Sequence, residues 1–304
     1  MSTLSQRIFD SDIWWSFKRS PITIIAAILA LICITGAVFA PLLAPHNPYD
    51  LAKINLSDSG LPPSWLPGAN PNFRLGTDNQ GRDILSTIMY GSRVSLLVAL
   101  CAVTFSMVVG VTLGLLSGYV GGRLDSFIMR LADVQLSFPQ ILVALLISGV
   151  ARTVISRDLH DNIAIYVIIF SIGVTNWVSY ARTVRGSTLV EKSKEYVQAA
   201  RVIGVRPIAI MFKHVLPNVL GPVLVIATLN IANAIIAEST LSFLGVGMPA
   251  TEPSLGTLIS VGNDYLFSGE WWITIFPGIA LIVMVLSVNL LGDWLRDALN
   301  PKLR

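Results

Sequence analysis

Glu238 stands inside an apolar run from Leu216 to Leu244, with no Lys, Arg or His within one turn of it. A carboxyl in such a run can bind a proton or cation, line a path for a polar solute, or tie helices together by hydrogen bonds. Asn230 and Asn233 lie earlier in the same run, and Asn176 beside Trp177 lies in another. For these amides a translocation path and helix–helix hydrogen bonding both stay open. A second group of charges, Asp78, Arg82, Asp83 and Arg93, surrounds the start of a third apolar run. Paired, they would pin a loop to that run, and unpaired they could meet a solute or a docking protein. Asp133 follows Arg130 by three residues, a spacing that allows a pair on one helix. The remaining concentration of charge is Ser187 to Pro222, where Lys192, Lys194, Arg201, Arg206 and Lys213 outnumber Glu191 and Glu195. No phosphate-cradling glycine loop, zinc spacing or Ser/His/Asp signature is present. Cys33 and Cys101 both lie in apolar runs and read as small hydrophobes. The chain carries no cofactor or metal site of its own, so any ATP chemistry must come from a partner.

The elements that hold these residues follow from composition. Of 304 residues, 53% are hydrophobic and 13% charged, about half the charge of a soluble domain. The mean hydropathy is +0.69. This is an all-α integral membrane protein. Basic residues are not gathered into a nucleic-acid face. A membrane-crossing helix needs roughly 20 apolar residues. Six runs qualify: Ile22 to Leu43, Ser95 to Tyr119, Val134 to Ala151, Ile163 to Tyr180, Leu216 to Leu244, and Trp271 to Leu291. The first follows Lys18 and Arg19, is too long for a signal-peptide core and reads as a retained anchor. With both termini inside, 15 of the 21 Lys and Arg fall in inner segments and 6 in outer ones. The positive-inside rule selects that orientation.

The chain then divides into an interfacial N-terminal segment (1–21, with Trp14 and Trp15), a first span (22–44), an outer loop (45–89), a core of spans (90–292) and a tail (293–304). The outer loop is rich in Pro, Asn, Gly and Asp and is expected to be irregular. Within the core, the connector 187–217 joins spans four and five. Tyr196, Ala199, Ala200 and Ile203 recur at helical spacing and predict one amphipathic face. Gly204 supplies a C-terminal stop, and Pro207 opens a second helix that should end near Val215, before Pro217. Gly110, Gly114 and Gly118 repeat at intervals of four, a seam along which two helices can approach closely.

Two motifs carry a resemblance. Gln198-Ala199-Ala200, Gly204 and His214-Val215-Leu216-Pro217 follow the spacing of the cytoplasmic coupling loop in ABC-importer permeases. That pattern often has Glu where Gln198 stands and Ile where His214 stands. Arg74-Leu75-Gly76-Thr77-Asp78-Asn79-Gln80-Gly81-Arg82-Asp83, followed by Gly91-Ser92-Arg93, is similar to the outer-loop signature of the second permease subunit in dipeptide, oligopeptide and nickel importers. The likeness continues through Phe138-Pro139 and Leu241-Ser242-Phe243-Leu244-Gly245 to Asn289-Leu290-Leu291-Gly292-Asp293. It implies a multi-pass protein of the bacterial inner membrane that forms half of a path for peptides or a related small solute. It further implies a second permease subunit, two ATPase subunits that bind ATP and Mg, and an extracytoplasmic solute-binding protein. Glu195, Gln198, Ala199, Ala200, Gly204, Pro207, His214, Leu216 and Pro217 would carry the coupling contact. The competing class is a secondary transporter driven by an ion gradient, which wants intramembrane acids and repeats. Only Glu238 qualifies there, and no internal repeat is evident. An intramembrane enzyme lacks its catalytic pair.

Overall fold

A computed structural model describes residues 12–50, 54–155 and 159–298. The described residues form helices joined by irregular loops, without strands, and their one isolated bridge joins Thr77 to Asp83. Helix α1 (Asp12–Arg19) leads to α2 (Pro21–Val38). Ser20 caps α2 by accepting from the Thr23 N–H, and Pro21 occupies the first turn, where no N–H partner is needed. The side chains of Trp14 and Trp15 lie outside the described residues. Helix α3 (Ile84–Val120) has 37 residues, α4 is Gly122–Leu136, α5 is Gln140–Val154, and α6 is His160–Glu191. The connector helix α7 is Glu195–Val202, followed by α8 (Pro207–Phe243), α9 (Leu255–Asn263) and α10 (Trp272–Ala298). Five helices are long and apolar enough to cross a membrane, and α4 with α5 makes a sixth if that bent pair is one crossing.

Several elements differ from the sequence expectation. The third span is not a continuous helix: α4 and α5 meet at 89° around Ser137-Phe138-Pro139. Pro139 has no N–H for the helix ladder and bars Phe138 from helical geometry. The fourth span runs on to Glu191, eleven residues beyond its predicted end at Tyr180. The second connector helix does not stop at Val215. It passes through a widened π-type turn, Ile210–Val215, straight into the fifth span. Pro217 falls in the first turn after that widening, and Asn218 Nδ2 donates to the His214 carbonyl at 2.7 Å. The segment after span five holds α9, whose Ser254 cap accepts from the Thr257 N–H. Asp133 pairs with Arg182 of α6 rather than with Arg130. The tail is helical through residue 298 and otherwise lies outside the described residues.

Packing explains the order. Burial by lipid gives no hydrophobic drive between helices in a membrane, so close backbone approach carries their association. The glycine seam of α3 supplies that approach to α6. A Cβ at Gly110, Gly114 or Gly118 would lie 2.4 Å from the Trp177 carbonyl oxygen, 2.4 Å from the Ala181 carbonyl oxygen, or 2.7 Å from Thr188 Cβ. At the connector end, Arg185 grips Asp125 of α4 through two bonds of 2.6 and 2.7 Å, and Ser117 of α3 also donates to Asp125.

The loop before α3 forms a compact knot. Asp78 accepts from the Gln80 and Arg82 N–H groups at 2.8 and 2.9 Å and from Arg82 Nε at 2.6 Å. Asp83 caps α3 by accepting from the Ser86 N–H and hydroxyl. Thr77 bonds the Leu61 N–H and the Asp58 carbonyl, and its own carbonyl accepts from Trp272 Nε1 of α10. Gly76 and Gly81 have φ of +84° and +80°, and a Cβ on either would strike a backbone oxygen. Thr77, Asp78, Arg82 and Asp83 are all buried. The loop ends at Asp83, where α3 begins, not near residue 89. Arg93 does not join the knot and has no hydrogen-bond or ion-pair partner among the described residues.

Candidate functional site

The connector is built on three helix ends. Val197 and Ala200 of α7 are buried in a cluster with Leu115 of α3, Tyr180 and Val184 of α6, and Ile210, Met211, Val215 and Val219 of α8. Lys192 Nζ donates to the Gly118 carbonyl at 2.6 Å, and the Arg201 guanidinium lies over the Tyr119 ring at 5.2 Å. Both contacts tie the connector to the end of α3. Glu191 pairs with Lys194 at 3.0 Å and accepts from the Tyr196 hydroxyl at 2.5 Å. Desolvation, with the Glu191 carboxylate beside it, pushes the Tyr196 phenol up to about 12, so it stays a donor at physiological pH. Asn218 Nδ2 reaches the same hydroxyl at 3.0 Å, which links α7 to α8. Gln198 donates to the Lys192 carbonyl at 3.2 Å and Glu195 opens the helix.

The corner itself is a Schellman turn. The Val205 N–H bonds the Ala200 carbonyl and the Gly204 N–H bonds the Arg201 carbonyl. Gly204 has φ +81°, with nothing near the position a Cβ would take. Pro207 starts α8 immediately after. The structure splits the set Tyr196, Ala199, Ala200 and Ile203 that the sequence placed on one face. Val197 and Ala200 face inward, while Ala199 is exposed and Ile203 is 78% exposed. With Val202 at 87%, Ile208 at 71% and Phe212 at 51%, Ile203 forms an apolar surface around the corner, flanked by the exposed Arg201 and Arg206. Sequence periodicity missed Val202, Ile208 and Phe212. Exposed apolar side chains on a connector rich in charge make this corner the candidate surface for another protein.

The intramembrane polar residues separate. Glu238 is 0% exposed. It accepts from Ser95 of α3 at 2.8 Å and from Ser242 at 2.7 Å. Ser95 Oγ in turn accepts from the Leu255 N–H of α9, and Ser242 Oγ from the Met248 N–H. The carboxyl therefore fastens α3, α8 and the start of α9 into one unit, with no cationic partner among the described residues. Asn176 bonds the Ile172 carbonyl on its own helix, and Asn230 reaches Ser179 at 3.5 Å; both are buried between α6 and α8. Asn233 alone is exposed. Among the described residues no cluster of His, Cys, Asp and Glu could hold a metal ion.

Glu238→Gln keeps the shape and can still bond both serines, so the purified protein should melt close to wild type. Glu238→Leu strands two hydroxyls in a dry site, at about 1–3 kcal/mol for each lost acceptor, and should melt several degrees lower. Equal melting of the Leu variant and wild type would remove the fastening role. A Gln variant with normal membrane level and lost uptake would instead put the carboxyl in the transport cycle.

Residues 110–304 match the family model for the binding-protein-dependent transport system inner membrane component. Residues 10–63 match the N-terminal transmembrane domain of oligopeptide transport permease C. The chain belongs to the binding-protein-dependent transport permeases. It is 38% identical to the dipeptide transport system permease protein of Haemophilus influenzae, over 96% of this chain and 95% of that one. It is 34% identical to the oligopeptide transport system permease protein of Bacillus subtilis, over 96% and 90%. It is 36% identical to the glutathione transport system permease protein of Pectobacterium atrosepticum, over 96% and 91%. The permease is thus a multi-pass membrane protein of the peptide ABC-transporter class, and membership of that class makes it a transport subunit rather than an enzyme.

Proposed function

We propose that this chain is one of two permease subunits of an ATP-driven importer in the bacterial inner membrane, with both termini cytoplasmic. Its cargo is a di- or oligopeptide or a related small solute, delivered by an extracytoplasmic binding protein. Two cytoplasmic ATPase subunits bind ATP and Mg and dock on the corner around Gly204. The observation that carries this reading is the exposed surface of Val202, Ile203, Ile208 and Phe212, mounted on a connector that continues without a break into α8.

A push on that surface moves α7, and the Schellman turn passes the motion to Pro207 and the head of α8. Lys192 and Arg201 carry it to α3. A displacement at the corner therefore reaches the helices α3 and α8, between which Glu238 is fastened. Coupling of this kind needs an element with two arrangements that both sites bias. The widened turn Ile210–Val215 is suited to that, because such turns interrupt the regular ladder of a helix.

The orientation is tested by labelling. Lys194 is half exposed, so Lys194→Cys in a background without Cys33 and Cys101 should resist a membrane-impermeant maleimide in intact cells and react after permeabilisation. Labelling in intact cells would put the connector on the wrong side for an ATPase and end the proposal.

A further inference from the structure

Of the charged group Asp78, Arg82, Asp83 and Arg93, only Arg93 takes no part in the knot. It lies on α3 just before a run of 29 uncharged residues, 94–122, long enough to cross the hydrocarbon core. Below it opens a groove of about 680 Å³, walled by α2, α3 and α10 and floored by α8. Ala30, Ile34, Leu97, Leu100, Ile231 and Val288 line it, with Arg93 at the end nearer the loop. Only Trp294 Nε1, at the other end, is a further lining polar atom that is buried and unpartnered.

We propose that this groove holds the acyl chain of an anionic phospholipid whose phosphate rests on Arg93. The wall formed by α2 faces lipid, since its exposed side chains include Ile22, Ile25, Ile28, Leu31 and Ile32. Thr35, its polar exception, turns its hydroxyl back onto the Leu31 carbonyl. The groove opens beside that wall, where Leu97 and Leu100 are half exposed, so it is filled from the bilayer. A guanidinium at the end of that apolar run with no partner among the described residues needs an anion, and its forked donors match a phosphate. The nearby acids Asp78 and Asp83 are sealed in the knot. They offer nothing to the ammonium of a zwitterionic headgroup, which favours a lipid of net negative charge. The inference rests only on the chain crossing a membrane, and is independent of cargo and of the ATPases.

The test uses the full-length chain, purified with the subunits it brings and placed in nanodiscs of mixed phosphatidylglycerol and phosphatidylcholine. Retained lipid is measured by native mass spectrometry. Wild type should retain phosphatidylglycerol preferentially. Arg93→Gln should lower that retention about fivefold, the preference one basic group near an anionic surface confers, and Arg93→Lys should restore part of it. Leu97→Trp fills the groove and leaves the guanidinium in place, and should lower retention as well. Unchanged phosphatidylglycerol in both Arg93→Gln and Leu97→Trp overturns the proposal. So does loss of a protein subunit from the Arg93→Gln complex with its lipid unchanged, which would assign the guanidinium to a subunit contact.

Discussion

Gly114→Leu should remove the folded protein from the membrane. Its Cβ alone would sit 2.4 Å from the Ala181 carbonyl oxygen and 2.9 Å from Val184 Cβ. The first obstacle is backbone, so no rotamer change relieves it, and α3 and α6 would have to separate along the whole seam. Separation also loosens the neighbouring grips of Gly110 on Trp177 and of Gly118 on Thr188, and the Arg185–Asp125 bonds beyond them. Overpacking a core costs about 1–3 kcal/mol where side chains can yield. Here they cannot, so the cost should exceed that range and consume much of a stability of about 5–15 kcal/mol. The membrane level, read by quantitative blotting, should fall about tenfold or more, because a cost that approaches the whole stability leaves most of the chain unfolded. Gly149→Leu on α5 is the control, because nothing lies within 4 Å of its Cβ position, and it should stay near wild type. Wild-type abundance and melting of Gly114→Leu would show that the seam is not what joins these helices.

The seam was legible in the sequence because three glycines four residues apart form a local pattern. The six apolar runs were legible for the same reason: lipid demands length and apolarity within one segment. What failed was what depends on another segment. Asp133 has Arg130 one turn away, yet its partner is Arg182, brought alongside by the bend at Pro139. That bend could have been found from Phe138-Pro139, since a proline in a polar-flanked apolar run removes a ladder bond and restricts its neighbour. Helix α9 left a cap at Ser254 but is too short to register as a span. The widened turn at Ile210–Val215 left no local sign. The connector shows a different limit. An amphipathic reading assumes one apolar face, buried, and one polar face, wet. Helix α7 has two apolar faces: Val197 and Ala200 against its own chain, and Val202 and Ile203 open to a partner. Periodicity put Ala200 and Ile203 on one side, which the structure divides between the two faces. Asp78 and Arg82 of the signature pair with each other, and within that charged group Arg93 has no partner among the described residues.

Gly204→Asp should abolish uptake while the protein stays in the membrane. The two effects separate because the site is strained but open. At φ +81° a residue with a side chain adopts a left-handed conformation, at about 1–2 kcal/mol, and Asp is among the residues that tolerate it best. No atom lies within 4 Å of the new Cβ, so there is no clash to add. That cost is small beside a stability of about 5–15 kcal/mol, and the membrane level should stay within about twofold of wild type. The carboxylate, however, stands at the corner whose exposed side chains are Val202, Ile203, Ile208 and Phe212. A docked partner would bury it without a counter-charge, and the desolvation amounts to several kcal/mol. A docking equilibrium weakened by about 3 kcal/mol falls more than a hundredfold. Solute uptake should therefore drop to background, and the ATPase subunits should no longer co-purify. Gly204→Asn carries the same backbone strain without the charge and should keep measurable uptake and co-purification. If the Asn variant is as inactive as the Asp variant, the turn's geometry and not its apolar surroundings governs the contact. If Gly204→Asp transports normally, work does not enter this permease at that corner.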